Sequence, residues 1–246
     1  MQTVRIPTAD GTADAYLVRP DGNGPFPGVL LFMDAFGLRP RIAEMAARIA
    51  DRGYAVLAPN ILYRGGPSPL VAPEELTDAE KRGAAFGRLM PLIRALTAER
   101  VAADTDAYLD FFAAQEDVAP GPVVVVGYCM GGTNALRAIE AHPDRIAALA
   151  SFHAGRVVTD GADSPHLAVG RITGEVYFGH ADNDQSMTPD QIKALEAELD
   201  EAGVRYTSEV YAGAPHGFTM SDTSMYDPQA EQRHWTSLFA LLDRVR

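Results

Sequence analysis

Residues 121–132, Gly121-Pro122-Val123-Val124-Val125-Val126-Gly127-Tyr128-Cys129-Met130-Gly131-Gly132, decide the fold. Four successive valines read as a strand buried on both faces, which is the environment of a parallel sheet. The strand is expected from Pro122 to Val126 and a helix from about Gly132 to Ala141. Strand, sharp turn and helix around Gly-x-Cys-x-Gly-Gly form a nucleophile elbow, with cysteine in the serine slot. The spacing has a physical cause. A nucleophile on this turn takes a strained backbone conformation, and glycines two positions before and after it let the strand and helix approach closely. Its side chain then stands at a helix N-terminus, where the dipole and free N–H groups favour a thiolate and can receive an oxyanion. A dinucleotide fingerprint fails, because the spacing is not Gly-x-Gly-x-x-Gly and no acidic residue ends the next strand.

Outward from this turn, β-rich runs alternate with segments of helical period, the βαβ rhythm of a mostly parallel central sheet with helices on both faces. Val4 to Pro7 and Ala13 to Val18 read as a hairpin, Pro27 to Met33 and Tyr54 to Ala58 as strands, and Pro40 to Arg52 as a helix closed by Gly53. Pro59 to about Leu92, rich in Gly and Pro and then in charge, reads as a long excursion with one or two short helices. A helix from about Leu96 to Phe112 precedes the elbow. Strands Ile146 to Phe152, Ile172 to Phe178 and Arg205 to Tyr211 follow it. A helix opens at Thr188-Pro189-Asp190-Gln191, and another runs from about Pro228 to Val245. The chain is expected to be one domain, residues 1–246.

With 246 residues, 47% apolar and 22% charged, the sequence can bury a full core. No run of 18 apolar residues and no signal-peptide pattern is present, so a cytoplasmic protein without membrane attachment is expected. A single cysteine fits a reducing compartment and leaves its thiol to packing or chemistry. The net charge of −12 and the lack of basic runs argue against nucleic acid.

In a strand-turn-helix fold of this kind an acid and then a histidine follow the nucleophile, each just past a strand. His216, in Tyr211-Ala212-Gly213-Ala214-Pro215-His216-Gly217-Phe218, has both the position and the order among the six histidines. Neutral imidazole is the general base that a Cys nucleophile requires. For the acid, Gly179-His180-Ala181-Asp182-Asn183-Asp184 offers two aspartates, of which Asp184 is favoured over Asp182. Asp182-x-Asp184-x-Ser186 is no calcium loop, since Met187 and Lys193 stand where glycine and glutamate are needed. His153 could line the pocket, while His142, His166, His180 and His234 read as surface residues or as satisfying local hydrogen bonds. None has metal-ligand spacing, and no metal or cofactor is expected.

Together the Gly127 to Gly132 elbow, Phe178 to Asp184, Tyr211 to Phe218 and Phe32-Met33-Asp34-Ala35-Phe36-Gly37 resemble the dienelactone hydrolase family, across nearly the whole chain. The resemblance implies an α/β-hydrolase fold and a Cys129-His216-Asp184 triad that opens a small-molecule ester or lactone through an acyl-thioester. It also implies an oxyanion hole from the Ala35 and Met130 N–H groups, with Asp34 in place of a glutamate that controls protonation of the cysteine. That family binds its substrate carboxylate with arginines. One lies four residues after the histidine, where this chain has Met220, and Arg82 matches the other. Asp34, Phe36, Tyr128 and Arg82 are the candidate substrate contacts, and a monomer or small homo-oligomer is expected. Two other readings stay open: a broad carboxylesterase or thioesterase, and a catalytically idle scaffold that binds a small molecule.

Overall fold

The computed structural model describes residues 1–245. Eight strands form one sheet: β1 (Gln2–Thr8), β2 (Gly11–Val18), β3 (Gly28–Phe32), β4 (Ala55–Pro59), β5 (Val123–Tyr128), β6 (Ile146–Phe152), β7 (Glu175–Ala181) and β8 (Tyr206–Tyr211). Their spatial order is β1-β2-β4-β3-β5-β6-β7-β8. β1 and β2 pair antiparallel, as do β2 and β4, and every later pairing is parallel. The helices are α1 (Pro40–Ala50), α2 (Pro73–Thr77), α3 (Ala79–Arg94), α4 (Ala98–Ala113), α5 (Met130–Ala141), α6 (Pro189–Ala202) and α7 (Pro228–Arg244). This is the α/β-hydrolase arrangement.

Hydrophobicity explains the layering. β3 and β4 are buried along their whole lengths and the valines of β5 with them, as strands covered on both faces must be. The crossover from β3 through α1 to β4 runs one way along the sheet, and the crossover to β5 runs back past β3. Right-handed crossovers therefore put α1 and α4 on opposite faces. α7 returns to the side of α1: the Tyr54 hydroxyl donates to the Leu242 carbonyl at 2.9 Å, and the Arg48 guanidinium lies 4.4 Å over the Trp235 ring. The reversal of strand order between β3 and β5 opens a crevice at their C-terminal ends, the usual place for a ligand in such a sheet.

Two stretches differ from the sequence reading. The strand expected from Ile172 begins at Glu175, after a 3-10 stretch Pro165–Arg171, and runs on to Ala181. Gly174 crosses so close to β6 that a Cβ there would lie 2.2 Å from the Ala147 carbonyl, and regular pairing starts only beyond it. In the excursion, α3 is a full 16-residue helix and not a short one. Gly83, Gly87 and Pro91 all lie inside it, and the Asp78 cap on the Lys81 N–H together with burial of Ala85 and Leu89 offsets their cost.

Four histidines read as peripheral or pocket-lining prove deeply set. His153 and His234 are fully buried, and His166 and His180 nearly so. None of these four is on the surface, and each has a hydrogen-bond partner: Ser164 for His166, Ser208 for His180, Tyr128 for His234 and Thr219 for His153. His142, half-buried, meets the Ala102 carbonyl. Burial disfavours the imidazolium, which lowers His180 to about 4 and His234 to about 3. A histidine kept neutral in the native state and protonated in the unfolded one costs stability as pH falls from about 6.5 towards its folded pKa. Urea unfolding should therefore lose stability steadily below pH 6.5. His234→Gln, which keeps a partner for Tyr128, should reduce that pH slope by up to about 1.4 kcal/mol per unit. An unchanged slope would show that His234 is already charged in the folded protein.

Candidate active site

The turn after β5 is built by close contact. Cys129 has φ 54° and ψ −121°, and it stands at the N-terminus of α5 with its N–H donated to the Phe152 carbonyl at 3.0 Å. A Cβ on Gly127 would lie 2.2 Å from the Gly131 carbonyl, and one on Gly131 would lie 2.3 Å from that of Met33. Only glycine permits both approaches. They seat the first turn of α5 against the end of β3 and leave the Cys129 side chain half-exposed over the crevice.

The loop after β8 brings His216 onto it. His216 Nε2 lies 3.0 Å from Cys129 Sγ, and Nδ1 lies 2.6 Å from Asp184 Oδ2. The other Asp184 oxygen accepts the Ser186 N–H at 2.8 Å and the Ser186 hydroxyl at 2.6 Å, so every side of this carboxylate is held. Burial would raise the Asp184 pKa, but His216 and Ser186 outweigh it and hold it below the usual carboxylate range. Burial would likewise lower His216, yet Cys129 and the Asp184 carboxylate raise it to about 11. The arrangement can hold a thiolate beside an imidazolium and pass a proton between sulfur and a bound group.

Asp182 and Asp184 go different ways because Asn183, at φ 55°, turns the chain between them. Asp182 accepts the Gly213 N–H at 2.8 Å and braces the loop that carries His216. Behind His216, the His153 ring packs edge-on at a centroid distance of 5.4 Å and bonds the Thr219 hydroxyl at 2.8 Å. Burial and the neighbouring His216 hold His153 well below its ordinary pKa, so it backs the site as a neutral ring.

After β3, the Asp34 carboxylate accepts the Phe36 N–H at 3.1 Å and its carbonyl accepts the Gly37 N–H at 3.2 Å. The Ala35 N–H between them has no hydrogen-bond partner among the described residues, nor has the Met130 N–H that opens α5. Asp34 is buried and its two oxygens meet Arg39 at 2.6 and 3.0 Å, so its carboxylate is committed to that guanidinium. Phe36 is half-buried and pairs edge-on with Phe86 of α3, centroids 6.4 Å apart.

Other residues singled out from the sequence lie elsewhere. Tyr128 is a correction: its side chain is fully buried, with its hydroxyl 2.9 Å from His234 Nε2 and its ring stacked on Phe152, because it alternates away from the crevice. Arg82 turns to the Leu76 carbonyl at 3.0 Å and caps α2. Met220 is buried, and its sulfur receives Arg39 Nη2 at 3.4 Å. Arg39, Ser186 and Thr219 were not singled out. Of these only Ser186 had a sequence signal, its position two residues after the candidate acid. Among the described residues no three His, Cys, Asp or Glu side chains converge as metal ligands would.

The chain can now be set beside known proteins. It is 26% identical to the probable 2-oxo-3-(5-oxofuran-2-ylidene)propanoate lactonase of Bradyrhizobium sp, covering 98% of this chain and 93% of that one. It is 25% identical to the carboxymethylenebutenolidase of Pseudomonas putida, with 75% of each chain covered. The solved structure named m3DLH superposes with a TM-score of 0.80 at 27% identity, over 99% of this chain and 97% of that one. The family model described as Dienelactone hydrolase family matches residues 13–246, which include every side chain discussed above, and the chain belongs to that family.

Proposed function

We propose that this protein hydrolyses an ester or lactone with a Cys129-His216-Asp184 triad, through an acyl-thioester on Cys129. The observation that carries the reading is the unbroken line from sulfur through imidazole to carboxylate, 3.0 Å and 2.6 Å long. The thiolate attacks the carbonyl carbon, and the developing oxyanion takes the Ala35 and Met130 N–H groups. The tetrahedral adduct collapses, and His216 gives its proton to the departing alkoxide. A water molecule then loses a proton to the now neutral His216 and attacks the thioester carbonyl, and the thiolate leaves. Asp184 fixes the tautomer and ring orientation throughout, itself fixed by Ser186.

The substrate is an uncharged ester or lactone. Of the two cations that the resemblance implies, one position is Met220 and the other, Arg82, is spent on a helix carbonyl. Arg39 lies near Met220 but already faces the carboxylates of Asp34 and Asp222. A bound substrate carboxylate would thus lack a free partner, which costs about 1.5 to 3 kcal/mol for each charge-assisted bond forgone.

Native protein should be alkylated by iodoacetamide at Cys129, and His216→Ala should slow the reaction at neutral pH by removing the imidazole that lies 3.0 Å from the sulfur. A thiol that reacts only after denaturation would sink the nucleophile assignment. Asp184→Asn should fold and lose several orders of magnitude in kcat, roughly the 10⁴-fold cost of the wrong hydrogen-bond partner for an imidazole N–H, while Asp182→Asn should lose little. The reverse ranking would move the acid by two residues. Finally, kcat/KM for a neutral aryl ester should exceed that for a carboxylated lactone by roughly ten- to a hundredfold. A clear preference for the carboxylated lactone would reveal an anion site made by other residues.

A further inference from the structure

Arg39 immediately precedes α1, and its side chain is 3% exposed. Its guanidinium reaches two separate segments. Towards the turn after β3 it donates to both oxygens of Asp34, at 2.6 and 3.0 Å, and to the Gly37 carbonyl at 3.2 Å. Towards the loop that follows His216 it donates to both oxygens of Asp222, at 2.5 and 3.2 Å, and to the Met220 sulfur at 3.4 Å. A planar fork of five N–H donors can satisfy two carboxylates at once, which an ammonium cannot do with the same geometry. The next helical turn repeats the attachment, since Arg41 Nη2 donates to the Thr219 carbonyl at 2.7 Å and also pairs with Glu231.

We propose that Arg39 is a positioning residue of the oxyanion turn: anchored on Met220 and Asp222, it fixes Asp34 to Gly37 so that the Ala35 N–H faces the acyl oxygen beside Cys129. The inference rests on the proposed triad mechanism and adds to it the device that holds one of its two donors. The Ala35 amide is left unused, immediately before the Phe36 and Gly37 amides, both of which close back on Asp34. Any rotation of the turn moves that amide, and Arg39 grips the turn at its first and last residues. Burial makes the grip stiff, because a guanidinium and a carboxylate without water around them have no competing partners. The anchor is on the histidine loop, so oxyanion donor and general base are referred to one another by a single side chain.

The test uses the full-length protein with Arg39→Lys, Asp222→Ala and the double variant. Arg39→Lys keeps the charge opposite Asp34 and loses the fork. Asp222→Ala removes the charged part of the anchor, at a side chain 31% exposed, and leaves the Met220 contact and a neutral Arg39–Asp34 pair, so it folds even if the lysine variant does not. On a neutral aryl ester, Arg39→Lys should lower kcat about ten- to a hundredfold, the scale of a misplacement of about 1 Å, with KM nearly unchanged. Asp222→Ala should lower kcat in the same way by a smaller factor, and the double variant should be no worse than Arg39→Lys, since Asp222 acts only through Arg39. Iodoacetamide alkylation of Cys129, a displacement at carbon that uses no oxyanion donor, should keep its wild-type rate in all three. The proposal is overturned by a wild-type kcat in Asp222→Ala, by losses confined to KM, by additive losses in the double variant, or by alkylation that slows in step with turnover. Ester turnover that survives Cys129→Ala overturns the triad itself, a result distinct from all of these.

Discussion

The close approach of α5 to the ends of β3 and β5 is the constraint on which the site depends. It requires Gly127 and Gly131 to have no side chain, and it forces Cys129 to a positive φ that a non-glycine residue pays for with about 1 to 3 kcal/mol. The helix repays this through residues far from the chemistry. Leu136 and Ile139 are fully buried, and each contributes about 1.5 to 3 kcal/mol by leaving water. Packing therefore outweighs strain, and the strained turn persists because the fold around it is satisfied. The same approach sets the first turn of α5 against the end of β3, the strand whose following turn carries the unpartnered Ala35 amide.

Electrostatics divides the histidines by their partners. His153, His180 and His234 are buried beside hydroxyl groups, which accept or donate without favouring a charge, and burial keeps them neutral. His216 is flanked by Cys129 on one side and the Asp184 carboxylate on the other, and together they overcome the same burial. A neutral His153 behind a charged His216 is the stable pairing, since two imidazolium rings at 5.4 Å would repel. Thr219, which fixes His153, also offers its carbonyl to Arg41, so the wall behind the histidine and the start of α1 share one loop.

The sheet was legible in the sequence because buried parallel strands show as unbroken apolar runs and helix ends as capping residues. Ile146–Phe152 was read to the residue, and Thr188 caps α6 with its hydroxyl on the Gln191 N–H as the pattern required. What escaped depended on environment. The length of α3 rests on a cap and on the burial of Ala85 and Leu89 outweighing its glycines and proline, and the late start of β7 rests on one tight crossing at Gly174. Neither fact is local to the residues concerned. That Cys129, His216 and Asp184 would meet was legible because each lies just past a strand of one parallel sheet. Arg39 was not, because its two partners lie 5 and 183 positions away and only the fold brings them together.

The candidate substrate contacts show which kinds of role a motif can carry from one chain to another. Ala35 and Met130 are offered through backbone N–H groups, whose direction follows from the turns and not from the side chains. Roles of that kind survive sequence change as long as the turn does. Asp34, Tyr128, Arg82 and Met220 were judged by side chains, and a side chain does what its nearest partner allows. Asp34 is one methylene shorter than a glutamate and lies against Arg39, so its charge is spent on the turn that contains it. Arg82 is spent on α2 and Tyr128 on His234. The charges of Asp34 and Arg39 are thus paired with one another, and that of Arg82 is held by a helix carbonyl. Under the proposed triad mechanism, a substrate is then selected by fit and by reactivity at its carbonyl rather than by its charge.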